Sequence, residues 1–167
     1  METHGWRRKS MRMPEYDYAT PGMYFITICA KERMSIFGDH VEAAISRQAM
    51  FRLSEIGKYV DFAINQMERH YPFVKVDKYC IMPDHVHLIL QIFADERGNH
   101  IAATTASTIV GQMKRWVSKQ VGTSVWQKSF SDRVIRNEAG YRAVWEYIEQ
   151  NPIKLDFADD NIDFSQM

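Results

Sequence analysis

Two apolar runs meet at a Pro-Asp pair in the stretch Tyr79-Cys80-Ile81-Met82-Pro83-Asp84-His85-Val86-His87-Leu88-Ile89-Leu90. Apolar, β-branched and aromatic residues on both sides of a two-residue turn signal predict an antiparallel hairpin. Because side chains alternate along a strand, His85 and His87 project from one face, and Val86 and Leu88 project from the other. The sequence therefore predicts a sheet with an apolar core face and an opposite face that carries two imidazoles.

The segments around this hairpin complete an α+β pattern. Runs of β-branched and aromatic residues predict strands, and apolar residues at spacings of three and four predict helices. The strands are expected at 24–29, at 35–38 as a hairpin partner of the first, at 74–82, at 85–93 and within 125–135, and the helices at 44–68, 107–121 and 137–150. Asn137 is a good N-cap for the last helix, and Pro152 stops it. This order is the ferredoxin-like split βαβ antiparallel sheet with an added C-terminal helix.

The composition is that of one soluble globular domain. The chain has 167 residues, of which 46% are hydrophobic and 25% charged, so the disordered and low-complexity classes are excluded. No run approaches the roughly 18 apolar residues that span a membrane, and no signal peptide is evident, so a cytoplasmic protein is expected. The two cysteines, Cys29 and Cys80, lie inside strand-like runs without a CxxC spacing, and we expect both to be reduced.

Charge is unevenly distributed along the chain, although 21 basic residues balance 21 acidic ones. The balance excludes a uniformly basic nucleic-acid binder but not one with a basic patch. We expect a basic N-terminal arm at 1–21, a domain at 22–154 and an acidic tail at 155–167. The arm carries Arg7, Arg8, Lys9 and Arg12, and the second predicted helix carries Lys114, Arg115 and Lys119. These segments are expected to contact a polyanion, although ordinary solvated surfaces would have the same composition.

The last predicted helix carries a second candidate constellation. Residues four apart lie on one helix face, so Tyr147 and Asn151 present a phenol and an amide together. If that helix covers the imidazole face of the sheet, then His85, His87 and Asn151 surround a cation with Tyr147 beside it. Tyrosine is a known covalent nucleophile, and a cation that polarises a phosphoryl oxygen is its usual companion. Packing histidines and a core-edge aromatic are the alternative interpretation of these residues.

The ordered set of motifs resembles a known family. The segment 79–88 resembles the HUH motif of single-tyrosine transposases, and 145–152 resembles the tyrosine helix of their REP-associated branch. Further segments match that branch in order and spacing: 21–27, 37–38, 125–127 and 133–137. The resemblance covers roughly 6–154. It departs at Asp84, where the family often has asparagine. This side chain could approach the metal or cap the turn, and we expect it to cap the turn.

The resemblance implies a function and a set of roles. The family has a ferredoxin-like fold and cleaves single-stranded DNA beside hairpins through a 5′-phosphotyrosine and a divalent metal. The implied nucleophile is Tyr147, and the implied metal ligands are His85, His87 and Asn151. Mg²⁺ or Mn²⁺ is the expected cofactor, because two imidazoles and an amide suit either ion when a substrate phosphate completes the shell.

Three classes of function stay open once the residues and the resemblance are taken together. The first is a DNA endonuclease and strand transferase that acts on single-stranded DNA with repetitive palindromic hairpins. Such a protein is expected to be a monomer or a homodimer and to be associated with the nucleoid. The second is a hairpin DNA or RNA binder that keeps the fold without turnover. The third is a zinc hydrolase built on the histidine pair, which lacks an obvious further strong ligand. Intact His85, His87 and Tyr147 favour the first class.

Overall fold

A computed structural model of the chain describes residues 20–42, 49–99 and 105–151. Arg7, Arg8, Lys9 and Arg12 and the acidic tail lie outside these ranges. The strands are β1 (Gly22–Cys29), β2 (Gly38–Glu42), β3 (Ala49–Leu53), β4 (Val74–Ile81), β5 (His85–Ile92) and β6 (Ser131–Ile135). The helices are α1 (Glu55–His70), α2 (Ala106–Val121) and α3 (Glu138–Gln150), and a single 3₁₀ turn, Lys31–Arg33, follows β1.

Four strands form one antiparallel sheet in the order β4-β5-β1-β6. This is the ferredoxin-like order once β2 and β3, which form a separate two-stranded sheet, are set aside. The Pro-Asp hairpin is present, because β4 and β5 pair directly and the Met82 amide donates to the His85 carbonyl at 2.8 Å. The predicted α+β fold class is confirmed.

Two predicted elements are wrong. The run 35–38 is not a hairpin partner of β1, because both edges of β1 are already paired with β5 and β6. The helix predicted over 44–68 begins only at Glu55, and the residues before it include β3, which pairs with β2. Phe51 and Leu53 pack against the main core while Arg52 is exposed, so this short segment follows the two-residue period of a strand.

The start of α1 is fixed by contacts with the chain before β2. Ser54 caps the helix by accepting a hydrogen bond from the Gly57 amide at 3.0 Å, and its own hydroxyl donates to the Ile36 carbonyl at 2.6 Å. A Cβ at Gly57 would lie 2.0 Å from the Phe37 carbonyl oxygen. Glycine therefore allows the first turn of α1 to pack directly on the backbone that leads into β2.

The other helix ends follow ordinary capping chemistry. Asn137 caps α3 by accepting from the Gly140 amide at 2.7 Å, which confirms the predicted cap. Thr105 caps α2 in the same way, and Gly122 ends α2 with a left-handed φ of 84°. In the described ranges, no helix is both long and apolar enough to cross a lipid bilayer.

The sheet separates a large core from a small one. Val86, Leu88 and Leu90 of β5 point into the large core, which α1 and α2 cover. The opposite face carries a smaller buried cluster, in which Val144 and Ile148 of α3 pack onto the sheet; its members from the sheet are Phe25, Ile89 and Ile135. The predicted division of β5 into a core face and an imidazole face is therefore confirmed, and α3 covers the imidazole face.

Candidate active site

His85 and His87 lie side by side at the start of β5. Their ring centroids are 4.5 Å apart and the two rings are inclined at 74°. The register with β1 places Thr27 opposite His87 and Cys29 opposite His85, so these side chains share the same face of the sheet. The structure thus brings the two predicted ligands together in a small polar area beside the apolar cluster under α3.

His87 is nearly sealed from solvent, with 5% of the residue exposed. Its ring stacks on Phe25 at 5.3 Å, and its Nδ1 is 2.8 Å from the hydroxyl oxygen of Thr27. Burial holds the pKa of His87 well below its ordinary value, and electrostatic interactions with His85 and Arg33 lower this pKa further. The imidazole is therefore neutral at pH 7, the form that can bind a metal ion or accept a proton.

Tyr147 projects from α3 onto the same imidazole. Its hydroxyl oxygen is 3.3 Å from His87 Nε2, and the two ring centroids are 5.1 Å apart. Val144 and Ile148 are buried on the helix face beside it, so the position of Tyr147 is set by packing of the helix on the sheet. As predicted, the helix that carries Tyr147 packs over the face of the sheet that carries the two histidines.

Polar contacts with the edge strand β4 fix α3 further. The Tyr141 hydroxyl donates to Asp77 Oδ2 at 2.7 Å, and Lys78 forms an ion pair with Glu149. A bulge between Val76 and Lys78 interrupts the β4 register at Asp77. The hydrogen bond to Asp77 is the main cause of the raised pKa of Tyr141. Tyr141 is therefore engaged in anchoring the helix.

Asn151 comes directly after α3, one helical turn beyond Tyr147 and on the same face. Its side-chain nitrogen is buried and has no hydrogen-bond partner among the described residues. Rotation of the Asn151 amide by 180° about its last torsion exchanges the nitrogen and the oxygen, so the amide oxygen could occupy this buried position and serve as a metal ligand. Across the described ranges, no three His, Cys, Asp or Glu side chains are clustered so that they could hold a metal ion. A metal site at the histidine pair would therefore need a ligand of another type, such as this amide. As donor types, two imidazoles and a buried amide fit a cation whose remaining ligands would be water and phosphate oxygens.

Asp84 has a role that the sequence did not predict. Its carboxylate contacts His85, with Oδ1 2.6 Å from His85 Nδ1, and also pairs with Arg33, whose Nε is 2.8 Å from Oδ2. The prediction that this side chain caps the turn is therefore wrong. The Asp84 carbonyl ties the turn to the chain after β1 by accepting from the Ala30 amide at 2.8 Å. Sequence analysis also missed Thr27 and Arg33, because neither is near the histidines along the chain.

The predicted basic residues of α2 are not at the imidazole face. Lys114 is half-buried and donates to the Gln127 carbonyl at 2.7 Å, which ties α2 to the loop between α2 and β6. Arg115 and Lys119 are exposed on α2, on the opposite side of the sheet from α3. A nucleic acid that contacts both α2 and Tyr147 would therefore have to pass around the sheet.

Comparisons with known proteins agree with the fold. The profile of the family described as "Transposase IS200 like" matches residues 20–151. An uncharacterised protein of Haemophilus influenzae is 33% identical over 165 residues, covering 87% of this chain and 88% of that protein. A provisionally named REP-associated tyrosine transposase of the same organism is 26% identical over 155 residues, covering 86% of this chain and 77% of its own length. The structure of a REP-associated tyrosine transposase bound to a REP hairpin has a similar fold, with a TM-score of 0.61, 22% identity and coverage of 85% of this chain and 74% of the other.

Proposed function

The chain belongs to the IS200-like transposase family, and from that premise we propose that it cuts and rejoins single-stranded DNA beside hairpins through a covalent bond to Tyr147. The observation that carries the proposal is the contact of the Tyr147 hydroxyl with His87 Nε2 at 3.3 Å, in a site where a second imidazole lies 4.5 Å away, centroid to centroid.

In the proposed reaction the Tyr147 oxygen attacks a DNA phosphorus atom. The new bond joins that oxygen to the phosphorus, and the bond from the phosphorus to the 3′ oxygen of the preceding nucleotide breaks. The phenol loses its proton to solvent, and the departing oxygen takes up a proton to become a free 3′-hydroxyl. Rejoining is the reverse, with the 3′-hydroxyl of another strand as the attacking group, so no external energy source is required.

The proposed cofactor is Mg²⁺ or Mn²⁺, held by His85, His87 and Asn151. When bound, the cation would polarise the phosphoryl oxygen and stabilise the charge of the transition state. The protein supplies a neutral His87 and a buried amide at Asn151, while packing of α3 positions the nucleophile. Imidazole ligands suit Mn²⁺ better than Mg²⁺, so we expect Mn²⁺ to support the reaction at lower concentration.

The proposed substrate is a single strand that carries a repetitive palindromic hairpin, and the proposed location is the nucleoid. Support for the hairpin comes from the solved relative that is bound to a REP hairpin and from the REP-associated name of the Haemophilus relative. The hairpin duplex would place a neighbouring unpaired strand beside Tyr147. The basic residues proposed to contact the phosphates are Arg7, Arg8, Lys9, Arg12, Lys114, Arg115 and Lys119.

A label-transfer experiment tests this proposal. The protein is incubated with Mn²⁺ and a hairpin-flanked single strand that is labelled at its 3′ end in one sample and at its 5′ end in another. We expect the 3′ label to become attached to the protein and to survive denaturation, because a 5′-phosphotyrosine retains the downstream fragment. The 5′-labelled fragment should be released with a free 3′-hydroxyl.

Two tyrosine variants provide the matched comparison. Tyr147→Phe should lose cleavage by several orders of magnitude while hairpin affinity changes little, because only the nucleophile is removed. Tyr141→Phe, six residues earlier on α3, should keep cleaving, because it removes a hydrogen bond to Asp77 but leaves the nucleophile and the packing of Val144 and Ile148 in place. Normal cleavage by Tyr147→Phe would refute the assignment. Hairpin binding by the wild type with no adduct under any metal condition would instead indicate a binding protein without turnover.

A further inference from the structure

Each histidine of the site is held by a different partner at the same ring atom. His85 Nδ1 is 2.6 Å from Asp84 Oδ1, and His87 Nδ1 is 2.8 Å from Thr27 Oγ1. An imidazole has two nitrogens, so a partner at Nδ1 leaves Nε2 as the atom that would contact a cation. In His87 this atom also lies 3.3 Å from the Tyr147 hydroxyl, so a cation bound there would lie beside the tyrosine. Both rings are thus oriented by Nδ1 contacts that come from outside the pair.

The partner of His85 is itself fixed by the segment that follows β1. Arg33 Nε lies 2.8 Å from Asp84 Oδ2, and its Nη1 lies 3.0 Å from Cys29 Sγ. Glu32 and Arg33 have left-handed φ values of 55° and 57°, a conformation that costs a residue other than glycine about 1 kcal/mol or more. This backbone conformation places the Arg33 guanidinium against both Asp84 and Cys29 at the end of β1.

The turn that carries Asp84 is also tied to this segment. The Ala30 amide donates to the Asp84 carbonyl at 2.8 Å, and the Phe37 amide donates to the Pro83 carbonyl at 2.9 Å. Asp84 is therefore held through both its main chain and its side chain, and its carboxylate can orient His85 with little loss of entropy on binding.

We propose that Asp84 and Thr27 are positioning residues, which hold His85 and His87 by Nδ1 so that both Nε2 atoms face the cation, and that Arg33 fixes Asp84. This inference rests on the proposed function, because it assigns partners to the proposed ligands. A carboxylate on Nδ1 also increases the electron density of the ring and strengthens Nε2 as a donor. An asparagine at position 84 would accept the same hydrogen bond without the negative charge, so Asp84 is expected to give tighter metal binding.

Mn²⁺ affinity of the full-length chain, measured by electron paramagnetic resonance without DNA, tests the proposal. We expect Asp84→Ala and Thr27→Val each to weaken Mn²⁺ binding about 10- to 100-fold, the range seen when outer partners of metal ligands are removed. Thr27→Ser keeps the hydroxyl and should bind Mn²⁺ nearly as the wild type does. Asp84→Asn should lie between wild type and Asp84→Ala. Hairpin affinity in EDTA should be unchanged in all four variants, which shows that they fold.

A second readout needs no metal. Long-range ¹H–¹⁵N spectra at pH 8 report which nitrogen of each neutral histidine carries the proton. In the wild type we expect His85 to carry it on Nδ1, where Asp84 accepts it, and in Asp84→Ala we expect it to move largely to Nε2. A purely structural role for Asp84 would leave this equilibrium unchanged.

The possible failures are distinguishable. If the wild type binds Mn²⁺ and both Asp84→Ala and Thr27→Val bind it within about twofold of that affinity, the positioning roles are wrong while the proposed function stands. If Asp84→Asn loses Mn²⁺ as completely as His85→Ala, Asp84 is a direct ligand and the inference is overturned. If the wild type binds neither Mn²⁺ nor Mg²⁺, the cation site fails and takes the inference with it.

Discussion

His87 is the residue on which the proposed chemistry of the site depends. It is buried between Phe25, Thr27 and Tyr147, and its pKa is well below the ordinary value. Burial has the largest effect on this pKa, followed by electrostatic interactions with His85 and Arg33. The same environment that keeps the ring neutral for its proposed work makes its protonation costly for the fold.

Stability should therefore fall in acid because of His87. In the unfolded chain His87 takes up a proton below about pH 6.5, whereas in the folded protein it resists protonation, so acid favours unfolding. The contribution of His87 is present above about pH 6.5 and is lost as the pH falls toward its folded pKa. The free energy of unfolding from urea titrations should drop by up to about 1.4 kcal/mol per pH unit more steeply in the wild type than in His87→Gln. Equal slopes for the two proteins would contradict this account.

The partners of the histidines mark the limit of prediction at this scale. Period-two alternation was sufficient to place His85 and His87 on one face, and helical spacing was sufficient to place Tyr147 beside Asn151. The contact between Thr27 and His87 depends on the β1–β5 register, which no local pattern specifies. Arg33 reaches Asp84 through two left-handed residues, Glu32 and Arg33, that have no signature in the sequence.

Among the elements, α1 shows how a correct period can give a wrong boundary. The spacing of the few apolar residues before Ser54 fits a helix as well as a strand. These residues form a strand because they pair with β2. The hairpin of β2 and β3 lies between β1 and α1 without altering the four-stranded order. By contrast, α2 and α3 were predicted to within a residue or two, because each has a clear cap and a long apolar stripe.

The contact between α1 and the chain before β2 gives a testable stability difference. Gly57→Ala would place a methyl group 2.0 Å from the Phe37 carbonyl oxygen, so the backbone must shift. We expect a loss of about 2 to 4 kcal/mol in the free energy of unfolding. Gly111→Ala in α2 is the matched control, because its Cβ has no neighbour within 4 Å. That variant should gain up to about 1 kcal/mol from helix propensity. Similar unfolding midpoints for the two variants would show that the close approach is not real.

Across the whole molecule, the sheet separates the proposed chemistry from much of the basic surface. Tyr147 and the histidines lie under α3, whereas α2, which has three basic residues and no acidic one, covers the other face. The arm with Arg7, Arg8, Lys9 and Arg12 is the other predicted basic segment. Composition does not decide whether α2 or the arm contacts the proposed hairpin, because net charge carries no information about where a ligand binds.

Salt dependence of hairpin binding should distinguish these surfaces. Deleting residues 1–12 removes four basic residues, so the slope of log affinity against log salt should fall by up to about 3 to 4 if all of them contact phosphates. Replacing Arg115 and Lys119 by alanine removes two charges and should lower the slope by at most about 2. The deletion should also weaken binding to a hairpin more than binding to an unstructured strand. An unchanged slope after the deletion would show that the arm makes no phosphate contacts and would assign them to α2.

The most direct test of the account is to find the amino acid that becomes attached to DNA. Trypsin cleaves after Arg142 and Lys154, and the resulting peptide, 143–154, contains Tyr147 as its single tyrosine. After reaction with a hairpin-flanked strand and Mn²⁺, nuclease and trypsin digestion should leave this peptide with the added mass of a 5′-linked nucleotide, and EDTA should prevent the addition. A nucleotide on any other peptide, including the one that ends at Arg142 and carries Tyr141, would contradict the central claim that Tyr147 is the nucleophile.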